Sequence, residues 1–551
     1  MVSLASKAES FPESTKATKM NPDRILAAID IGTNSIHMVV VQVNTSLPSM
    51  TIIATEKATT RLGERCAKTG GLTDEAMQRS LVALARCQEI CRSMEVEEII
   101  AVATSAVRES PNGTDFIDII ERELGLRVEL ISGQEEARRI YLGVLSAIEL
   151  NNQPHVIIDI GGGSTELILG NGHDPEFLSS TKVGAVRLSD LLISTDPISE
   201  REFERLQIYI RGMLERSTDD LKVLLDGSPA QMIGTSGTIE TLAILHAKEK
   251  FGSVPNPLQG YELTFADVEK IVMRFRKLDL AGRTALVRDK RADIILAGSM
   301  ILLETMRQLQ ASKITICQRS LREGLIVEWM LEHGLIEDRM RYQSSVRDRN
   351  VMKLAEKFGV NISYANQVAR LALSIFDQTQ GILHNWGDAE RSLLWAAAIL
   401  HNCGHFVNHS AHHKHSYYLI RNGGLLGYTE SEIETIANLA RYHRKNEPKK
   451  KHENYRRITN KRLRFFVDQV SPLLRLAVAL DRRQIGAIKQ VKLTCDLKAA
   501  ICHMQIVPVQ ADDPCTLELW SLDYKKQPFE SQFHIDLSVN LALAEVAEVL
   551  V

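Results

Sequence analysis

Two stretches of this sequence set an aspartate near the end of an apolar run and a glycine turn directly after it. The first is Ile25-Leu-Ala-Ala-Ile-Asp30-Ile-Gly32-Thr-Asn-Ser35, followed by the apolar run Ile36 to Val43. The second is Val156-Ile-Ile-Asp159-Ile-Gly161-Gly-Gly-Ser164-Thr-Glu166, followed by Leu167 to Leu169. Glycine turns after buried strands present backbone N–H groups with no Cβ in the way, so a phosphate can approach them. The candidate phosphate contacts are Gly32, Thr33, Asn34 and Ser35 in one turn and Gly161, Gly162, Gly163, Ser164 and Thr165 in the other. Two such turns facing each other could grip a chain of phosphates. Asp159 ends one strand and Glu166 begins the return strand, so a tight hairpin brings both carboxylates to one edge. Hard oxygen ligands, few in number and completed by substrate phosphates, suit Mg2+. Either copy alone reads equally as a glycine-rich hairpin with solvated acids; the matched pair, with Asp at the same place in both, argues for a site.

Hydrolysis also needs a base for water. Ser132-Gly-Gln-Glu135 has the spacing of a capping box, in which Glu135 folds back onto the first turn of its own helix. That leaves Glu136 free, and one residue further along a helix turns about 100°, which points Glu136 elsewhere, toward a cleft between domains. Two acids that merely stabilise the helix N-terminus are the alternative.

The elements that must hold these residues follow from the apolar pattern. Each glycine segment reads as a buried strand, a tight turn and a returning strand, because a short apolar run breaks at glycine and resumes at once. Two such hairpins far apart in the chain predict two related α/β domains. Between them lie a helical pattern from Thr73 to Met94, a strand from Ile99 to Ala103, and a further helix and strand (Val128 to Ile131) before the helix that starts near Ser132. A third glycine turn, Gly234 to Thr238, follows a short apolar run, and the α/β part ends near residue 330. From about Val346 to Leu480 the periodicity is helical, as in Val368, Leu371, Ala372 and Ile375. From about Lys489 strand-like alternation returns (Lys489 to Leu493, Ile501 to Val507, Leu517 to Leu519), and a helical pattern spans Ser538 to Leu550. The expected division is a flexible tail over 1–22, α/β domains over 23–148 and 149–330, a helical domain over 331–484 and a small α/β domain over 485–551.

Composition sets the outer limits. A chain of 551 residues with 44% hydrophobic and 25% charged residues has material for three or four compact units and is not disordered, collagen-like or membrane-embedded. The first twenty residues lack the apolar stretch of a secretory signal, and no run approaches the roughly 18 uninterrupted apolar residues of a membrane span. A soluble, cytoplasmic protein without a membrane partner is expected. Its 8 cysteines form no metal-spaced pairs, which suits a reducing compartment without a disulfide frame. The net charge of -3 excludes nothing, but basic residues crowd the stretch from Arg441 to Arg464.

Five motifs together resemble the exopolyphosphatase and guanosine pentaphosphate phosphatase family. They are Asp30 to Ser35, Ala-Thr-Ser-Ala-Val-Arg at 103–108, Ser-Gly-Gln-Glu-Glu-Ala at 132–137, Asp159 to Glu166, and Gly-Thr-Ser-Gly-Thr at 234–238. The resemblance runs on through Ser320-Leu-Arg-Glu-Gly and the helical domain. It implies two actin-like (ribonuclease-H-like) domains with the active site between them. It further implies that Glu136 is the general base, that Asp159 and Glu166 hold Mg2+, that the two glycine turns cradle phosphate oxygens, and that Arg108 neutralises charge on the transferred phosphoryl group. The helical part resembles the HD metal-phosphohydrolase fold, but Tyr364 stands at its early His and Asn402 at the Asp of its His-Asp pair. Only His401 and Asp481 remain, so no complete metal site is expected there. The basic stretch has a solvated face as its plain reading. Beside a phosphate-releasing site it becomes a candidate polyphosphate track of His412, His413, Lys414, His415, Arg444, Lys449, Lys450 and Lys451. The expected activity is release of orthophosphate from inorganic polyphosphate. The alternatives are removal of the terminal phosphate of guanosine pentaphosphate and, in another class, a nucleotide-binding sensor or kinase on the same fold. Nucleic acid is not an expected partner, and a homodimer is.

Overall fold

The computed structural model describes residues 23–542 apart from 46–48, 67–68, 288–290, 337–345, 426 and 459. The tail expected over 1–22 and the last residues, 543–551, lie outside the described residues.

The first hairpin is β1 (Arg24–Ile31) against β2 (Ser35–Asn44), paired from Arg24↔Val43 to Ile31↔Ile36. With β3 (Ser49–Thr59), β4 (Glu98–Ala103) and β5 (Glu129–Leu130) it forms a sheet of order β3-β2-β1-β4-β5, in which β4 runs parallel to β1. The second hairpin, β6 (His155–Ile160) against β7 (Thr165–Gly170), repeats the plan with β8 (Phe177–Thr181), β9 (Met232–Thr235), β10 (Glu262–Thr264) and β11 (Lys313–Ile316). Its order, β10-β11-β9-β6-β7-β8, is the first order with one antiparallel strand added at the edge. The glycine segments thus belong to duplicated α/β sheets, and each turn emerges beside the parallel central strands.

Residues along β1 alternate between two cores, which is why the run is apolar throughout. Leu26 and Ala28 face one core and Ala27, Ile29 and Ile31 the other. The first of these cores also takes Ile157 and Ile168 from the second sheet and Leu325 from the Leu321–Glu332 helix, so the halves share buried surface. That helix crosses the Gly133–Leu145 helix at backbone contact. A Cβ on Gly143 would lie 1.9 Å from Ser320 O, and one on Gly324 would lie 1.8 Å from Arg139 O. Two glycines at one crossing therefore fix the helix that carries Glu136 against the segment that carries Ser320.

The segment Gly234 to Thr238 is a strand-to-helix junction, not a turn between strands: β9 ends at Thr235 and a helix runs from Gly237 to Phe251. Beyond 346 the chain is helical to Leu480, as the periodicity predicts. The C-terminal part departs from the sequence expectation in three ways. Leu517 to Leu519 lie in the helix Thr516–Lys525, since three alternating residues do not outweigh the longer run around them. Ser538 to Leu541 lie in β14 (Asp536–Leu541), parallel to β13 (Ile501–Pro508), because the sheet offers β14 an edge. Cys495 of β12 (Ile488–Asp496) stands directly opposite Cys502 of β13 and is disulfide-bonded to it, a juxtaposition that scattered spacing did not reveal. Ile488, Val491, Cys502 and Phe529 pack into the same core as the helices. Among the described residues no helix is long and apolar enough to cross a membrane.

Candidate active site

A cavity of about 150 Å3 opens where the two hairpin turns meet. Both are four-residue turns closed by one hydrogen bond, Gly32 N to Ser35 O at 3.2 Å and Gly161 N to Ser164 O at 2.9 Å. Their carbonyls are used from behind. Asn34 O accepts from the N–H groups of Thr60 and Arg61, Thr33 O from Gly63, and Gly162 O from Val186 and Arg187. The N–H groups of Thr33, Asn34, Gly162 and Gly163 find no acceptor among the described residues. Backbone donors left unpaired in this way need a ligand or water. The turns are also in contact: a Cβ on Gly162 would stand 2.9 Å from Thr33 Cβ and 3.3 Å from Asn34 N, so only glycine allows the approach.

Four acids border this space. Asp159 and Glu166 are direct cross-strand partners at the end of the β6–β7 hairpin. Asp30 lies at the matching place in the first sheet, where its partner is His37. Glu136 comes from the first domain on the Gly133–Leu145 helix, capped by Ser132, whose Oγ accepts from Glu135 N at 3.1 Å. The capping box is only half made. The Glu135 carboxylate does not fold back but accepts from Arg138 Nε at 2.8 Å and pairs with Arg139 Nε at 2.9 Å, and both arginines also engage Glu328 on the Leu321–Glu332 helix. Two cations within reach outcompete one backbone donor.

Electrostatics within the cavity follow from burial of like charge. Burial pushes Glu166 up to about 8, with Asp159 adding to the effect and the Ser180 hydroxyl, donating at 2.8 Å, opposing it. Burial pushes Asp30 up to about 7; Arg322 opposes this and Asp159 adds to it. Asp159 is also raised by burial, against a hydrogen bond of 2.5 Å from Ser320 Oγ and the charge of Arg322. Glu136, 8% exposed, is raised well above the usual carboxylate range by burial and then by Glu166, while Arg108 opposes. His37 is pushed down to about 3 by burial and by Arg322, and its Nε2 lies 2.7 Å from Ser35 Oγ.

The donor set fits a hard divalent cation. The Oδ1 atom of Asp30 is buried without a hydrogen-bond partner, and Asp159 and Glu166 sit beside it with their charges resisted by burial. Among the described residues no three His, Cys, Asp or Glu side chains are placed to hold a metal ion by themselves. Phosphate oxygens and water would have to complete a shell here, as is usual for Mg2+.

The cavity thus gathers Gly32 to Ser35, Gly161 to Ser164, Asp159, Glu166 and Glu136, as the sequence motifs suggested. Thr165 is buried behind it, its Oγ1 donating to Val183 O at 2.5 Å. Arg108 reaches Glu136 Oε2 at 3.0 Å but lines a neighbouring cavity of about 570 Å3 with Ser132, Ser180 and Lys182. Sequence reasoning used Asp30 only as the matching aspartate of the repeat and gave no role to His37, Ser236, Arg291, Ser320 or Arg322; all six line the main cavity. The repeat could have found His37, which stands opposite Asp30 as Glu166 stands opposite Asp159. Ser236, at φ 102°, holds a strained junction before the Gly237–Phe251 helix, and its buried Oγ has no partner.

The eight residues of the expected polyphosphate track do not share one groove. His412 and Arg444 line a cavity in the helical part, and His413 is 5% exposed. Lys449, Lys450 and Lys451 are exposed outside that cavity, as is Lys414, while His415 is half-buried. Tyr364, His401, Asn402 and Asp481 do gather, with the Tyr364 and His401 rings 5.6 Å apart and Asn402 and Asp481 near enough to act on the Tyr364 hydroxyl.

A family model for the Ppx/GppA phosphatase family matches residues 39–333, and one for domain III of Ppx/GppA phosphatases matches residues 346–526. Among solved structures, an exopolyphosphatase from Cytophaga hutchinsonii is 29% identical, covers 56% of this chain and 98% of its own, and superposes with a TM-score of 0.52. A Ppx/GppA family member from Aquifex aeolicus is 29% identical over 57% of this chain and 99% of its own, with a TM-score of 0.48.

Proposed function

Because the chain belongs to the Ppx/GppA phosphatase family, we propose that it hydrolyses the terminal phosphoanhydride bond of inorganic polyphosphate and releases orthophosphate. The observation that carries this reading is the pairing of four unused backbone N–H groups, on Thr33, Asn34, Gly162 and Gly163, with a buried carboxylate, Glu136, in one cleft.

The N–H groups receive the non-bridging oxygens of the last phosphates, and this fixes the terminal phosphorus without a covalent bond to the protein. Glu136 holds a water on the open side of that phosphorus. Its raised affinity for protons is the property required of a base working near neutral pH. As the water oxygen bonds to phosphorus, its proton passes to Glu136, the bridging P–O bond breaks, and the shortened chain leaves as an oxyanion. Arg108, hydrogen-bonded to Glu136, and Arg322, whose charge acts on Asp30 and Asp159, offset the negative charge gathered there. Asp159 and Glu166 would hold Mg2+, with phosphate oxygens and water completing its shell, and the ion would supply neutralisation of the phosphate charge. The helical part contributes no chemistry in this reading, since Tyr364 and Asn402 are poor replacements for a histidine and an aspartate at a metal.

Phosphate release from long polyphosphate and from guanosine pentaphosphate, measured on one preparation, tests the substrate. Faster turnover of the polymer is expected; a strong preference for the nucleotide would reverse the assignment. Release from neither, with ATP bound intact, would leave a sensor.

A further inference from the structure

The helical part contains a cavity of about 650 Å3, large enough for a nucleotide-sized ligand. Arg444, Lys445, Arg475, Arg482 and Lys525 line it, against one acidic lining residue, Glu447. None of the five cations is in an ion pair among the described residues. Arg475, only 6% exposed, satisfies its guanidinium on carbonyls, donating to Tyr442 O at 2.7 Å and Lys445 O at 2.9 Å. Arg444 donates to the ring of His412 at 3.2 Å, and burial with neighbouring cations keeps His412 and His443 neutral. Lys525 is pushed down to about 8 by burial and by Arg482, Arg444 and Arg475 beside it. Five cations against one carboxylate, with none of them ion-paired, are stabilised by an added anion. On the same helix Trp520 and Tyr524 line the cavity yet remain 60% and 78% exposed, with rings parallel to within 7° and 6.1 Å apart. Inorganic phosphate makes no use of an open indole and phenol. A planar base does, by stacking.

We propose that this cavity is a second ligand site that takes a nucleoside polyphosphate, with its phosphates among Arg444, Arg475, Arg482 and Lys525 and its base against Trp520 and Tyr524. The site is separate from the glycine-turn cleft and does not depend on what that cleft hydrolyses. It also differs from a track for a phosphate polymer, which would reward charge alone.

Tryptophan fluorescence and calorimetry on the full chain in EDTA, with GTP, tripolyphosphate and guanosine as probes, test the proposal. GTP should quench the indole signal and bind roughly tenfold or more tightly than tripolyphosphate, because stacking adds to the same phosphate charge. Guanosine should bind more weakly than GTP. Lys525→Ala should weaken GTP about tenfold or more, Trp520→Phe should remove the quench, and Trp520→Leu should weaken binding by calorimetry. Hydrolysis of short substrates by Lys525→Ala should be unchanged, which separates this site from the cleft. Since Trp520 is exposed, its variants should keep the wild-type melting temperature even where Lys525→Ala does not. Equal affinity for tripolyphosphate and GTP would overturn the nucleotide assignment in favour of a polyanion site. GTP binding unaffected by both Trp520→Leu and Lys525→Ala, or no GTP binding at all, would remove the site.

Discussion

The cleft between the glycine turns and the cavity of the helical part bury ionisable groups of opposite sign. In the cleft Asp30, Asp159, Glu166 and Glu136 all hold protons more tightly than they would in water. In the helical part His401, His412 and His413 are pushed down to about 4, 3 and 4, beside cations that lack carboxylate partners. One region is short of positive charge and the other of negative charge. The cleft alone adds unused backbone donors and, beside them, the buried carboxylate of Glu136, which is why we propose hydrolysis there and only binding in the helical cavity.

The largest effect that separates the regions is on turnover. Glu136→Gln should lower kcat by about 10^2 to 10^4-fold with little change in substrate binding, since it removes a proton acceptor and no phosphate contact. Glu135→Gln should mainly cost stability, because its carboxylate serves Arg138 and Arg139. If Glu135→Gln abolishes turnover and Glu136→Gln does not, the two roles are exchanged.

Next comes the response to pH and metal. Asp30 and Glu166, at about 7 and 8 in the folded protein, would titrate near 4 when unfolded. Between these limits the folded state binds more protons, so the cleft loses stability as pH rises toward 8. The neutral histidines act in the opposite sense: the unfolded chain gains protons below about 6.5, so the helical part loses stability as pH falls. Mg2+ should therefore raise the melting temperature more at pH 8 than at pH 5.5. Asp159→Asn should raise the metal-free melting temperature at pH 8 while removing most of the Mg2+ increment. Equal Mg2+ increments at both pH values, in wild type and variant alike, would take the metal out of the cleft.

The smallest effect concerns the exposed lysines. Replacing Lys449, Lys450 and Lys451 with Ala should weaken long polyphosphate and flatten the salt dependence of its binding by a slope of order one per lost contact. Short substrates should be hydrolysed nearly as before. Equal loss on short and long chains would tie the lysines to the fold or cleft, and no change would make them a solvated face.

The cleft and the helical cavity differ in how openly the sequence carries them. The glycine turns, Asp159 and Glu166 are legible because one hairpin encodes their spacing, and the duplication of Asp30 and Asp159 is written in the repeat. Glu136 stands out by a one-residue offset from a cap, though Ser132 caps without the reciprocal bond from Glu135. Ser320, Arg322, Arg291 and Ser236 reach the cleft from distant segments, and no local period announces such a meeting. The helical cavity is less legible still. It joins residues near 405–412, 444, 475–484 and 520–528, and the alternation of Leu517 to Leu519 imitates a strand at the start of the helix that carries Trp520.

Water attack on the terminal phosphorus in the glycine-turn cleft, with Glu136 as base, would leave one solvent oxygen in each orthophosphate released. Hydrolysis of long polyphosphate in 18O-labelled water, with the released orthophosphate read by mass spectrometry, tests it most directly. One labelled oxygen per orthophosphate is predicted for the wild type, with release nearly abolished in Glu136→Gln. Label retained in the shortened chain and absent from orthophosphate, or undiminished release by Glu136→Gln, would contradict it.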